Sequence, residues 1–279
     1  MLALFLLLAL VQGLAEFLPI SSSGHLRILQ ALFGLNDPLT VVDVLLHLGT
    51  LVSVLIVYRA EVARLTVAGL RLLARPLAAP ERVRVDPDAR LLALVTLATL
   101  PTTAIALTLG SLLDRAASHI AFVGGALIVN GGILWLLDTR SRRLAATPDL
   151  ARPLTALTAR DALLIGLAQG LAITRGISRS GSTITAGVVL GLRQDAAATF
   201  SFLLAIPAIV GACILHLSDL SPTDAEHVPL ALVAAVLAGL VGYVALRWLL
   251  GLLDRGRLGL FAGYSALAGL VTLVWSLVA

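Results

Sequence analysis

Residues 12–24 read QGLAEFLPISSSG, and residues 169–181 read QGLAITRGISRSG. Eight of the thirteen positions match across a spacing of 157 residues. Each copy is a dense polar cluster set in strongly apolar sequence. A polar segment that occurs twice in such surroundings points to a paired site assembled by two internal repeats.

The surroundings decide the class. The 279-residue chain is 59% hydrophobic and only 13% charged, with a mean hydropathy of +1.01. Soluble domains of this length rarely look like this, so the chain reads as an integral membrane protein. Leu, Val, Ala and Gly runs without strict alternation favour helices over a barrel. All 20 basic residues are arginine, a bias to which no function attaches. The net charge of +4 is spread over loops and excludes nucleic acid as the expected partner. Cys213, the single cysteine, lies in an apolar run and reads as a small buried hydrophobe. No Arg or Lys precedes Arg27, so residues 1–11 lack the positive start expected of a signal peptide.

Six stretches are long enough to cross a bilayer: about 39–58, 91–109, 120–137, 200–217, 229–250 and 258–279. Two shorter apolar stretches, 1–18 and 161–173, run into the polar copies, and short segments 25–34 and 183–192 follow them. That pattern predicts two re-entrant hairpins, each a half-helix in, a polar tip and a half-helix out. Such tips are tolerated at membrane depth only where protein or water surrounds them.

Charge sets the orientation. Residues 59–90 hold seven Arg against four acids, and 138–160 hold five Arg against two. Arg255 and Arg257 add to a third basic segment, whereas 218–228 carries Asp219, Asp224 and Glu226 with no Arg. The Arg-rich segments belong in the cytoplasm. The first hairpin then enters from outside and the second, three spans later, from the cytoplasm. The expected fold is an all-α polytopic membrane protein of two inverted repeats, each a re-entrant hairpin plus three transmembrane helices. Repeat one covers about 1–137, a cytoplasmic loop about 138–160, and repeat two about 161–279, all within one membrane domain. Inverted-repeat proteins place their sites where such tips meet, near the midplane.

Gln12 and Glu16 stand one helical turn apart before Pro19, which disfavours helix at Leu18. An acid this deep is costly, so Glu16 should face the protein interior or a wet cavity and do chemistry. Ser21, Ser22 and Ser23 form the first tip and are good caps for the outgoing half-helix, whose N-terminus favours anions. His25 borders the same tip and is a candidate general base. The second tip gathers Arg175, Ser178, Arg179, Ser180, Ser182 and Thr183, with no acid between residues 162 and 194. Arginine offers a rigid fork matched to phosphate oxygens. Arg179 is nested among serines, while Arg175 is the better candidate for reaching to the interface. Asp43 and His47, again four apart, read equally well as cavity-lining residues or as a mutually satisfied pair. No zinc-peptidase, P-loop or dinucleotide motif is present.

At these residues the chain resembles the undecaprenyl-diphosphate phosphatase family of the bacitracin-resistance type. The family's (E/Q)-x-x-x-E segment and its serine loop ending in Gly-His match Gln12–Glu16 and Ser21–His25. Its P-G-x-S-R-S-G-x-T signature is similar to Arg175–Thr183. Asp43–Leu51 and Phe200–Pro207 resemble family segments too. Gln12 stands where the family often has its first Glu, and Arg175 stands in place of the usual Pro. The resemblance implies hydrolysis of undecaprenyl diphosphate to the monophosphate and phosphate, which recycles the carrier for cell-wall glycans. It also implies divalent-metal dependence and a site open to the outer side of the cytoplasmic membrane. Family roles fall on Glu16, Ser22, His25, Ser178, Arg179 and Thr183.

The expected mechanism places the diphosphate on Arg179, Ser178, Thr183 and the half-helix N–H groups. Gln12, Ser21, Ser23, Arg175 and Ser180 complete the substrate-binding set. Glu16 holds Mg2+ or Ca2+, or positions the base. His25 acts as base toward water or Ser22, or is itself the nucleophile, and the sequence leaves these routes open. The expected partners are a polyprenyl diphosphate and membrane lipids, and a homodimer is compatible with the sequence. The alternative from another class is a carrier or flippase for a lipid phosphate or small anion.

Overall fold

The computed structural model describes residues 1–35, 39–74, 76, 79–216, 226–253 and 258–278. Among these residues the chain is helical and has no strand. Its elements are α1 (Leu2–Phe17), α2 (Ser22–Leu32), α3 (Thr40–Val57), α4 (Arg59–Ala74), α5 (Ala79–Val85), α6 (Pro87–Ala117), α7 (Ile120–Ala146), α8 (Ala159–Leu171), α9 (Arg179–Val189), α10 (Gln194–His216), α11 (Val228–Leu253) and α12 (Gly259–Val278). Asp219, Asp224, Arg255 and Arg257, used above to assign loop charge, lie outside the described residues.

Six helices are long and apolar enough to span a bilayer, each with an 18-residue stretch of mean hydropathy between 1.7 and 2.3. They are α3, α6, α7, α10, α11 and α12, the six expected from hydropathy, and the chain is a multi-pass membrane protein. Leu107, Val236, Leu240 and Leu267 on these helices are exposed, the face a lipid-solvated helix presents. By contrast α1 has 16 residues and α8 has 13. At 1.5 Å per residue they reach about 24 and 20 Å, short of the ~30 Å hydrocarbon core.

Two segments differ from the sequence reading. Residues 59–90, read as a charged connection, contain α4, α5 and the first turn of α6. Hydropathy detects spans and is blind to polar helices. α6 also starts four residues before its apolar run and ends well past it. Asp86 caps it by accepting from the backbone N–H of Asp88 at 2.9 Å and of Ala89 at 3.4 Å, with Pro87 at the first helical position.

The packing comes in matched pairs. α1 lies on α11 as α8 lies on α6, α3 on α11 as α10 on α6, and α7 packs along α12. Gly13 and Gly170, equivalent positions of the repeated stretch, show why these helices fit. A Cβ on Gly13 would stand 2.8 Å from the Ala238 carbonyl of α11, and one on Gly170 would stand 2.5 Å from Ile105 of α6. Small residues permit this close approach, on which helix association in lipid depends. Beneath the two polar turns, Phe17 and Phe202 meet edge to face at 5.9 Å inside the largest apolar cluster.

Candidate active site

The turn after α1 and the turn after α8 lie back to back. Leu18 is extended (φ −61°, ψ 139°), as the residue before Pro19 should be, and this ends α1. Ser21 then caps α2 with φ +71°, the one non-glycine positive φ among the described residues. Its hydroxyl oxygen accepts from the Gly24 N–H at 3.3 Å and, across the interface, from the Gly176 N–H at 3.1 Å. Ser178 caps α9 in the equivalent way, accepting from the Gly181 N–H at 3.1 Å. Ser180 donates to the Phe17 carbonyl at 3.0 Å and so ties the second turn to the end of α1.

Glu16 is the centre of the arrangement and is buried. Its Oε1 accepts from the Arg179 guanidinium of the opposite turn. Its Oε2 accepts from the Ser22 hydroxyl at 2.7 Å and from the Gln12 amide at 3.0 Å. His47 Nε2 stands 3.7 Å from the same oxygen. The opposite nitrogen, Nδ1, donates to the Asp43 backbone carbonyl at 2.7 Å, because a carbonyl oxygen only accepts. Asp43 and His47 are therefore not a closed side-chain pair. The Asp43 carboxylate instead accepts from Gln30 at 3.2 Å, and His47 faces Glu16. Arg179 is oriented by a second bond to the Ala205 carbonyl at 3.2 Å.

Of the residues singled out in the sequence, Gln12, Glu16, Ser22 and Arg179 thus form one hydrogen-bonded cluster drawn from both turns. Ser21, Ser178 and Ser180 serve the backbone around it. Ser23 is half-buried on the first turn of α2. Thr183 is fully buried, bonding the Arg179 carbonyl at 2.9 Å and the Ser201 hydroxyl. Arg175 lies at the edge, its Nε 3.3 Å from Asp114 at the end of α6. His25 is turned elsewhere. Its Nδ1 donates to the Ser21 carbonyl at 2.8 Å, which leaves Nε2 to accept from the Tyr264 hydroxyl at 2.8 Å. The two rings stack at 5.7 Å.

Three participants were not singled out in the sequence. Tyr264 and Ser201 sit on spans where nothing local marks them. Asn130 was readable, as the one side-chain amide in the apolar run 120–137. It is fully buried and joins both turns. Its amide nitrogen donates to the Pro19 carbonyl at 3.0 Å and to Ser265 at 3.1 Å, and its oxygen accepts from the Ser178 N–H at 2.9 Å.

A serine hydroxyl held on a carboxylate, with a guanidinium on that carboxylate's other oxygen, is an arrangement suited to phosphoryl transfer. A family model described as bacitracin resistance protein BacA matches residues 5–271. The chain belongs to this family. Among curated members it is 39% identical to an undecaprenyl-diphosphatase of Desulfatibacillum aliphaticivorans, over 96% of each chain. It is 41% identical to an undecaprenyl-diphosphatase of Desulfosudis oleivorans over 95% of each. It is 35% identical to undecaprenyl-diphosphatase 2 of Streptomyces coelicolor, over 96% of this chain and 92% of that one. Family membership therefore extends well beyond the two polar turns, to nearly the whole helical array.

Proposed function

We infer that this protein is an integral-membrane phosphatase. It hydrolyses undecaprenyl diphosphate to undecaprenyl phosphate and inorganic phosphate, recycling the lipid carrier for peptidoglycan synthesis and opposing bacitracin. The observation that carries the chemistry is the Ser22–Glu16–Arg179 chain, in which the acid on one turn meets a hydroxyl of its own turn and a cation of the other. In the proposed mechanism Arg179 moves to the terminal phosphate and stabilises its charge. Ser22 gives its proton to Glu16 as Oγ attacks the terminal phosphorus. The phosphoanhydride bond breaks, and prenyl phosphate leaves with the proton that Glu16 took from Ser22, which restores the carboxylate. Water, deprotonated by Glu16, then attacks the phosphoserine, releasing phosphate and returning the proton to Ser22. His25 orients the first turn through the Ser21 carbonyl, with Tyr264 holding its other nitrogen. Ser178 and Thr183 support Arg179 from behind.

Gln12 and Glu16 are the residues that would hold Mg2+ or Ca2+ at this site. The Gln12 Oε1 is a buried oxygen with no hydrogen-bond partner, one helical turn from Glu16, and hard cations accept amide and carboxylate oxygens together. No group of three metal-binding side chains occurs among the described residues, so phosphate and water would supply the remaining ligands. Such an ion would neutralise diphosphate charge.

The same reading makes α1–α2 and α8–α9 two re-entrant hairpins of oppositely oriented repeats in the cytoplasmic membrane. The matched helix pairs support it, as does the shortness of α1 and α8. Arg-rich 59–90 and 138–160 then face the cytoplasm, and the site opens outward. Single cysteines at Arg84, Ala145 and Thr223 in a Cys213→Ala background, labelled in intact cells, should react only at Thr223. The activity test is phosphate release by purified protein given a prenyl diphosphate and a divalent metal. Release is expected, and its absence would overturn the enzymatic reading.

A further inference from the structure

Arg175 is the residue in which this chain leaves the signature it otherwise matches, where proline is usual. It lies on the second turn, three residues before the cap of α9. Its Nε faces Asp114 Oδ1 at 3.3 Å, with the Arg175 side chain 20% exposed and that of Asp114 52% exposed.

Arg179 with Glu16 and Arg175 with Asp114 are two acid–cation rungs whose cations come from the same turn, four residues apart. Glu16 with Arg179 forms the inner rung. Arg175 with Asp114 forms the outer rung, at the exposed edge of the same turn. The outer rung is loosely held. Its bond to Asp114 is single and single-point, on a half-exposed carboxylate, the kind of pair that contributes little in solvent. A phosphate can take a guanidinium from such a partner, because two parallel charge-assisted hydrogen bonds replace one.

We propose that Arg175 is a specificity-determining residue: it takes the lipid-linked phosphate of a prenyl diphosphate while Arg179 takes the terminal phosphate. This deepens the phosphatase reading and rests on it. A diphosphate occupies both rungs. The monophosphate product has one phosphate and engages one, so two-point binding favours substrate over product. Asp114 competes with substrate for Arg175 in this scheme, which gives the two residues opposite effects. A merely structural tether between the second turn and α6 would give them the same effect.

The test compares Arg175→Gln, Arg175→Lys and Asp114→Asn in purified full-length protein. Arg175→Gln should raise the KM for prenyl diphosphate about tenfold while kcat changes less than about threefold. Inhibition by prenyl monophosphate should weaken by no more than about twofold in the same variant. Lys should recover part of the loss, and Asp114→Asn should lower KM about two- to fivefold. Binding of a methylene-bridged diphosphate analogue, measured alongside, should follow the same order without any turnover. KM and analogue affinity worsening together in Arg175→Gln and Asp114→Asn would identify a tether and overturn the proposal, as would no change in either. If wild-type protein releases no phosphate, the phosphatase reading fails by itself, and the analogue affinities still decide whether Arg175 recognises a diphosphate.

Discussion

The two polar turns share a backbone plan and divide the chemistry. Ser21 and Ser178, equivalent in the repeated stretch, cap α2 and α9 through the same bond to a glycine N–H three residues on. Gly13 and Gly170 each let the incoming helix come close to its neighbour, the first against a backbone carbonyl and the second against the Ile105 side chain. The side chains between these fixed points differ in sign. Position by position, Glu16 answers to Ile173, Leu18 to Arg175 and Ser22 to Arg179. The first copy keeps an acid and a hydroxyl, the second carries cations. Because the copies abut, a carboxylate from one and a guanidinium from the other meet inside the protein, where neither alone would be tolerated cheaply. The two turns share a frame, and the differences at a few positions make them complementary.

That contrast breaks most sharply at Glu16. Glu16→Gln should lower kcat by about two orders of magnitude or more, whereas Ile173→Ala, at the equivalent place, should change it less than about threefold. Comparable losses at both positions would mean that the chemistry is shared rather than divided. Arg179→Ala comes next, at ~2 kcal/mol or more of lost transition-state stabilisation, with Lys a poor substitute for the fork. Steady-state kinetics on folded protein would read this, and a value within about threefold of wild type would remove Arg179 from the site.

The frame can be tested separately from the chemistry. Asn130→Ala strips a partner from the Pro19 carbonyl and the Ser178 N–H at once, so thermal unfolding in detergent should show a loss of about 1–3 kcal/mol. An unchanged midpoint would mean that water replaces the amide and the turns are not coupled through α7. The smallest difference is between the caps. Ser178→Ala should cost about 1 kcal/mol of stability, and Ser21→Ala more, since its oxygen also accepts from Gly176 across the interface. Equal costs would show that the cross-turn bond adds nothing.

How much of this was legible in the sequence follows from what each signal depends on. The six spans were readable because twenty apolar residues in a row have one physical solution. α4 and α5 were not, since neither is apolar enough to stand out. The cluster of Gln12, Glu16, Ser22 and Arg179 was nominated from the repeated stretch, because ionisable groups at membrane depth are rare. Its wiring was hidden. That His47 rather than His25 faces Glu16 depends on how α3 leans on α1, and that His25 pairs with Tyr264 depends on a contact 239 residues away. Asn130 lay between these cases: its solitude in α7 marked it, but its partners could come only from the fold.

The Glu16–Arg179 contact also constrains the order of biosynthesis. The two residues are 163 positions apart, and at about 5–20 residues per second the ribosome needs roughly 8 to 30 seconds to bridge them. During that interval Glu16 has Gln12, Ser22 and His47 as its neighbours but not Arg179, α1 has no α11 to lie on, and Gly176 is not there to bond Ser21. A carboxylate that lacks its guanidinium partner is costly in apolar surroundings. The buried contact between the two turns therefore closes only once the second half of the chain has been made.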